Sequence, residues 1–350
     1  MSEAGRRQAR RIDFHNGKVE MNHGAGGRAM TDLVDLLFKP AFDNPLLAQG
    51  NDQALFELPP GRIAMSTDSF VITPLFFPGG DIGSLAIHGT VNDLAMGGAR
   101  PVYLSAGFIL EEGLPLADLH RIVQSMAGAA REAGVQIVTG DTKVVERGSG
   151  DGVFINTCGV GVVPPAMDLG VQRVQAGDAV LVSGTLGDHG VTIMSQREGL
   201  SFNTSLKSDS APLHGLVAAM VAAAPRGLHL MRDPTRGGVS ATLNEIAQQT
   251  GHGIVLEEER LPVSEEVRGA CELLGLDPLT VANEGKLLAI VAHDQVEDVL
   301  TAMRAHPRGE RAARIGTVTE DPLKLVRMRT PIGGERVVDW LYGEQLPRIC

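Results

Sequence analysis

TDSFVITPLFFPGGDIGSLAIHGTVNDLAMGGARPVYLS occupies residues 67–105. It opens inside RIAMSTDSFVITP (62–74) and closes inside ARPVYLSAGFIL (99–110), two apolar, partly β-branched runs bounded by breakers, as strands are. Downstream, PLADLHRIVQSMAGAAREAG (115–134) puts Leu119, Ile122, Val123, Met126 and Ala130 on one helical stripe, with Gly134 as a stop. VQIVTGDTKVV (135–145) and VFINTCGVGVV (153–163) follow as strands. A second block opens at VQAGDAVLVSGTLGDHG (174–190), a strand running into a glycine-rich turn. APLHGLVAAMVAAA (211–224) and GGVSATLNEIAQQTG (237–251) have helical patterns; KLLAIVAH (286–293) is strand-like and DQVEDVLTAMRA (294–305) helical. PPAMDLG (164–170), with its paired prolines, interrupts both patterns and marks the boundary. The expected fold class is therefore α/β with mixed sheets, in two blocks.

Bulk composition bounds the function. A chain of 350 residues has room for two domains, and 43% hydrophobic with 21% charged residues describes an ordinary globular protein. A formal charge of −11 argues against a general binder of nucleic acid or anionic membrane. No run approaches the ~18 apolar residues of a membrane span. The basic start, MSEAGRRQARRIDFH, has no apolar core and is expected to be a disordered tail over 1–14. Three cysteines, Cys158, Cys271 and Cys350, share no metal-ligand spacing, which suits a reducing cytoplasm. Cys158 in an apolar strand and Cys271 on a helix are expected to be buried packing residues. Cys350 is different: it ends the sequence as PRIC (347–350), where a thiol on a frayed arm is exposed to oxidation unless it serves as a nucleophile.

Several polar groups break the apolar runs. HGAGGRAM (23–30) is a glycine-rich loop ahead of a helical pattern, able to offer backbone N–H groups to phosphate or simply to turn tightly. His23 is expected to be structural. The loop is not a dinucleotide fingerprint, because Asp43 sits in the loop-like KPAFDNPLL rather than at the end of a second strand. Asp52, Asp68, Asp93, Asp141 and Asp233 lie at strand ends or in short polar breaks. Buried carboxylates need a partner, a hydrogen bond or a metal, and converging hard oxygens suit Mg²⁺ on nucleotide phosphates. Each taken singly could instead cap a helix or a turn. Lys143, two residues after Asp141 on a strand, shares its face. Glu284, in ANEGK (282–286), is a general base or a solvated turn residue. No Walker A motif is present.

In this order, HGAGGRAM, the 67–105 stretch, GFILEEGLPL, VTGDTKVVERG, FINTCGVG, RDPTRGG, ANEGK and the final PRIC resemble the HypE family of hydrogenase maturation proteins, within the PurM-like ATP-dependent superfamily. The resemblance covers the chain from about Phe14 onward, with Asn51 standing where the family often has an acid. It implies a PurM-like N-terminal ATP-binding domain at 15–165, a C-terminal α/β domain at 166–335, and a mobile tail at 336–350. It also implies a homodimer joined through the N-terminal sheets. The implied reaction is ATP-dependent dehydration of a carbamoyl group on Cys350 to a thiocyanate, the source of the cyanide ligand for [NiFe]-hydrogenase iron. By motif, Cys350, Glu284 and Lys143 would be catalytic. Gly26, Gly27, Asp68, Asp93, Asp141, Lys143 and Asn156 would bind ATP, and Asp52, Asp68, Asp93 and Asp233 would hold Mg²⁺. A HypF-type carbamoyl-transferring protein and a HypC–HypD-type iron scaffold are the implied partners. Ordinary thiol reactivity is expected of the free tail, since the α-carboxylate and Arg348 oppose each other. The alternatives are a selenophosphate-synthetase-like enzyme, disfavoured because no cysteine precedes Cys158, and a nucleotide-gated adaptor whose tail only docks.

Overall fold

The computed structural model describes residues 12–165, 167–199, 206–340 and 348–350. The expected tail at 1–14 falls largely, and the tail at 336–350 partly, outside the described residues.

In chain order, the first half begins with short helical turns, α1 (Arg28–Leu33) and α2 (Lys39–Ala41), then strand β1 (Arg62–Phe70) and the two-residue strands β2 (Phe76–Phe77) and β3 (Gly80–Asp81). Helix α3 (Ile82–Met96), strand β4 (Arg100–Glu111), helix α4 (Leu116–Glu132), and strands β5 (Gln136–Val145) and β6 (Val153–Val163) complete it. The sheet order is β1-β6-β4-β5, antiparallel except for the β4–β5 pair. Period-2 alternation gives this sheet one buried face. Leu104, Ala106, Phe108 and Leu110 of β4 point inward to meet Leu85, Ile87 and Val91 of α3 and Leu119, Ile122, Val123 and Met126 of α4. The opposite face is open and carries Ile63, Met65 and Ile109.

Helix α4 follows its amphipathic stripe. Periodicity does not announce α3, because nearly all its residues are buried and a helix buried all round has no apolar stripe to detect. Its start is set by Asp81, whose carboxylate accepts from Gly83 N at 2.7 Å and Ser84 N at 3.2 Å.

The second half contains β7 (Ala179–Val182), α5 (Asp188–Arg197), α6 (His214–Ala223), β8 (Leu228–Arg232), α7 (Gly238–Thr250), β9 (Gly253–Glu257), α8 (Glu265–Leu274), β10 (Leu288–Val291), α9 (Val296–Arg304), β11 (Ala313–Thr319), β12 (Val326–Arg329) and β13 (Glu335–Val337). They build a seven-stranded sheet, β13-β12-β9-β11-β7-β10-β8, parallel only at β9–β12. Both faces are covered, so AVLV of β7 and LAIV of β10 are buried throughout. Alternate residues feed two cores: Leu181 and Ala289 pack with α6 and α9, and Val180 and Ile290 pack with α7.

The two halves are joined at α3. Ala95 and Met96 lie in the same apolar cluster as Leu213 and Leu216. Asn92, 1% exposed, donates to Ala211 O at 3.1 Å and Glu284 O at 3.2 Å and accepts from Leu213 N at 2.8 Å. Among the described residues no helix is long and apolar enough to cross a membrane.

Candidate functional site

The last three residues return to the N-terminal sheet. Ile349 forms an antiparallel bridge with Ile72, just beyond β1. Val71 N donates to Cys350 O at 2.9 Å and Thr73 N to Arg348 O at 3.3 Å. Arg348 pairs with Asp151 of the β5–β6 loop at 2.9 Å. This short strand carries the Cys350 thiol into a cleft between the two halves, within hydrogen-bond reach of the Glu284 carboxyl. Burial, and then the charge of Glu284, push the thiol well above the ordinary cysteine range, with Arg236 opposing. The seated thiol is therefore less acidic than a free one, whereas the expectation of ordinary reactivity concerns the tail when it is free.

Glu284 sits in the turn ahead of β10 and is 4% exposed. Its amide donates to Asp209 Oδ1 at 3.0 Å, and Asp209 is paired with Lys286 at 3.0 Å. Burial raises the Glu284 carboxyl well above its usual range, and Asp209, Asp233 and Asp68 raise it further. One of its oxygens, Oε1, is buried with no hydrogen-bond partner among the described residues.

Around this pair stand three aspartates. Asp68 comes from β1, Asp93 from α3, and Asp233 from the loop after β8. Asp93 accepts from Ser66 Oγ at 2.6 Å. Desolvation raises all three, each half-buried; Asp233 is pushed up to about 7 by desolvation and then by Asp93 and Asp68. Asp68 raises the proton affinity of Asp93, and both raise that of Asp233, a concentration of negative charge that a divalent cation would relieve, and their hard oxygens suit Mg²⁺. Among the described residues no three His, Cys, Asp or Glu side chains are placed to hold an ion by themselves. Nucleotide phosphates would complete the shell, as is usual for Mg²⁺.

Comparison with known proteins places this geometry. The AIR synthase related N-terminal domain matches residues 50–163 and its C-terminal counterpart residues 175–327. Carbamoyl dehydratase HypE of Azotobacter vinelandii is 65% identical over 340 residues, covering 97% of this chain and 99% of the relative. The chain belongs to the HypE family of carbamoyl dehydratases. A solved HypE in complex with ATP superposes with a TM-score of 0.91 at 52% identity, over 94% of this chain and 99% of that one. A HypE–HypF complex gives 0.78 at 49% identity, over 88% and 99%. The PurM-like fold class stands, and the HypE reading is favoured over the adaptor and the selenophosphate-synthetase-like enzyme.

Within this HypE-type chain, the remaining candidates gather elsewhere. Asp141 and Lys143 are exposed on β5 and pair at 2.5 Å. Asn156 is exposed on β6 and donates to Asp68 O and Ser69 Oγ, each at 2.9 Å. The three share a groove of about 400 Å³ with Ser69, Val71 and Phe154, on the open face of the sheet. Lys143 is thus not beside the thiol in the same chain: β5 lies three strands from β1, roughly 14 Å at ordinary strand spacing. Gly26 and Gly27 are exposed in the loop before α1, Gly26 at φ +74° with open space where a Cβ would stand. Gly24 instead packs on Val144, where a Cβ would come within 2.6 Å of the backbone nitrogen. His23 is structural, as expected, accepting from Glu20 N at 2.9 Å. Asp52 is exposed in the loop before β1 and does not share the burial of the other three aspartates.

Other features were not legible. A cavity of about 690 Å³, lined by His88, Asp188, Asp209, Lys286, Arg308 and Arg311 among others, includes motif residues such as His88 and Lys286 but none of those expected to be catalytic, ATP-binding or metal-holding. Asn92, beside the singled-out Asp93, proved to be the hydrogen-bonding hub of the interface. Cys271 is buried, as expected, but Cys158 is not fully buried: it lies on the open sheet face, opposite Thr67 and Ser105. An apolar strand sequence identified the strand but not which of its faces was covered.

Proposed function

We propose that Cys350 carries the carbamoyl group and that the cleft seating it is where the group is dehydrated, with ATP as co-substrate. The observation that supports this reading is the seating of the half-buried Cys350 thiol against the buried Glu284, amid Asp68, Asp93 and Asp233. A thiocarbamate oxygen is a poor leaving group. Its attack on the γ-phosphorus of ATP forms a C–O–P bond and releases ADP, while one N–H proton goes to Glu284. Collapse of the resulting imidate breaks the C–O bond, forms the nitrile and releases phosphate, which takes the second proton. A carboxyl held above its usual range has the proton affinity that a base working near neutral pH requires. Burial also keeps water from hydrolysing the thiocarbamate.

Asp68, Asp93 and Asp233, with Asp52 where the loop before β1 reaches them, would hold Mg²⁺, which when bound neutralises charge on the transferring phosphoryl group. Asp141, Lys143, Asn156 and the Gly26–Gly27 backbone would line the nucleotide path along the groove, Lys143 acting on phosphate and in proton handling. The protein would work in the cytoplasm as a homodimer, take its carbamoyl group from a HypF-type protein and pass cyanide to a HypC–HypD-type iron scaffold.

The test is the mass of the intact protein and of its C-terminal peptide after loading by a HypF-type protein, before and after Mg-ATP. One carbamoyl group confined to Cys350, losing one water only with Mg-ATP, is the expected result. An unmodified Cys350 with a loading protein proven active on another HypE would overturn the reading.

A further inference from the structure

Strand geometry leaves one carbonyl of the tail without a partner from the sheet. On either side of the Ile349 bridge, Arg348 O and Cys350 O accept from Thr73 N and Val71 N, with Arg348 turned into the left-handed region at φ +53°, and Ile349 O accepts from neither. Ile349 is only 2% exposed, and a carbonyl turned into such a place must be satisfied from the protein. The partner is His189, in the first turn of α5 and 0% exposed, with Nε2 at 2.8 Å from Ile349 O. A carbonyl can only accept, so Nε2 carries the hydrogen. Nδ1 therefore accepts, and the Ser208 hydroxyl donates to it at 2.7 Å. Ser208 is itself fixed, its amide on Pro78 O at 2.8 Å and its oxygen accepting from Ser210 N at 3.1 Å. The Phe77 ring stands edge-on to the imidazole at 5.6 Å. Two helical turns along the same face of α5, Arg197 donates to Arg348 O and to Thr73 O.

We infer that His189 is a positioning residue for the reactive tail: by donating from Nε2 to the Ile349 carbonyl, in the tautomer set by Ser208, it holds the Cys350 thiol in register with Glu284. The recognition is of backbone. It is therefore indifferent to what the Cys350 sulfur carries, and the same contact seats the tail free or loaded. The donor comes from the C-terminal half and the pairing strand from the N-terminal half, so the seat exists only where the two halves meet.

The first readout is alkylation of Cys350 in the full-length protein by iodoacetamide, followed by peptide mass, with buried Cys271 as the internal monitor of unfolding. His189→Ala is expected to speed Cys350 alkylation about tenfold or more, since a buried carbonyl loses its donor, while Cys271 stays slow. His189→Gln, whose amide can still donate, is expected to keep the parental rate. Should His189→Ala fail to fold, His189→Phe fills the space, donates nothing, and is expected to behave as Ala was. A parental Cys350 rate in the non-donating variants, or a Cys271 rate rising in step with Cys350, overturns the assignment. The second readout rests on the dehydratase reading. Single-turnover water loss from loaded Cys350 is expected to slow in His189→Ala and recover in His189→Gln, with HypF-type loading undiminished. Failure of the carbamoyl chemistry itself would leave the alkylation result intact, so the two failures are distinguishable.

Discussion

At the scale of single residues, the chemistry rests on carboxyls partly or wholly withdrawn from water. Asp233 makes this measurable. Its folded-state pKa is raised from 3.8 to about 7, so the folded chain holds this proton more tightly than the unfolded one. The sign follows by linkage: the stability this one group contributes is fully present below about pH 4 and is lost as pH rises through about 7, where it ionises in the folded chain. Asp233→Asn removes that burden. Urea unfolding of the nucleotide-free protein at pH 8 is expected to show the variant more stable, by up to roughly 4 kcal/mol from a three-unit shift, with the gap closing by pH 4. A gap independent of pH would exclude Asp233 as the titrating group. Asp68 and Asp93 are raised in the same direction, so the same slope survives in weaker form.

At the scale of elements, α3 carries more than its share. Its capped start is fixed by Asp81, its core face packs on the sheet and α4, and its last turns reach the second half. Asn92 there ties α3 to the Ala211–Leu213 segment and to the Glu284 backbone through three hydrogen bonds. Asn92→Ala would leave two buried carbonyls and one amide without that partner. It is expected to cost about 2–4 kcal/mol in urea unfolding, and to slow dehydration as well, because the turn carrying Glu284 loses an anchor. A loss of stability under about 0.5 kcal/mol would show that water or neighbours replace those bonds.

At the scale of the whole molecule, the open face of the first sheet is the obvious unfinished surface. Ile63 is 50% exposed, Met65 72% and Ile109 43%, on three different positions of one face. The homodimer through this sheet, proposed from the family, would cover them and would also close the groove that holds Asp141, Lys143 and Asn156. Met65→Glu is expected to convert the dimer to monomer in sedimentation velocity without unfolding the chain, since the residue contributes little to the monomer core. A variant that sediments as the parent does would place the dimer contact elsewhere.

The local chemistry of the chain decided most of its elements. Apolar, partly β-branched runs between breakers gave β1, β4, β5 and β6, a helical stripe gave α4, and AVLV and LAIV gave strands of the second sheet, because these patterns reflect covered faces. The motifs also named Cys350, Glu284, Asp68, Asp93 and Asp233, which the fold brings to one cleft from β1, α3, the loop after β8, the turn before β10 and the end of the chain. Tertiary structure alone decided the rest. It buried α3 on nearly all sides and so erased its period, left Cys158 half-buried on an uncovered sheet face, and set Lys143 three strands from β1, whose end the thiol's segment joins. It also brought His189 to the carbonyl of Ile349, 160 residues away, a contact that no local pattern encodes. Burial and juxtaposition depend on which surfaces meet, and a linear sequence records only the preference of each residue to be covered.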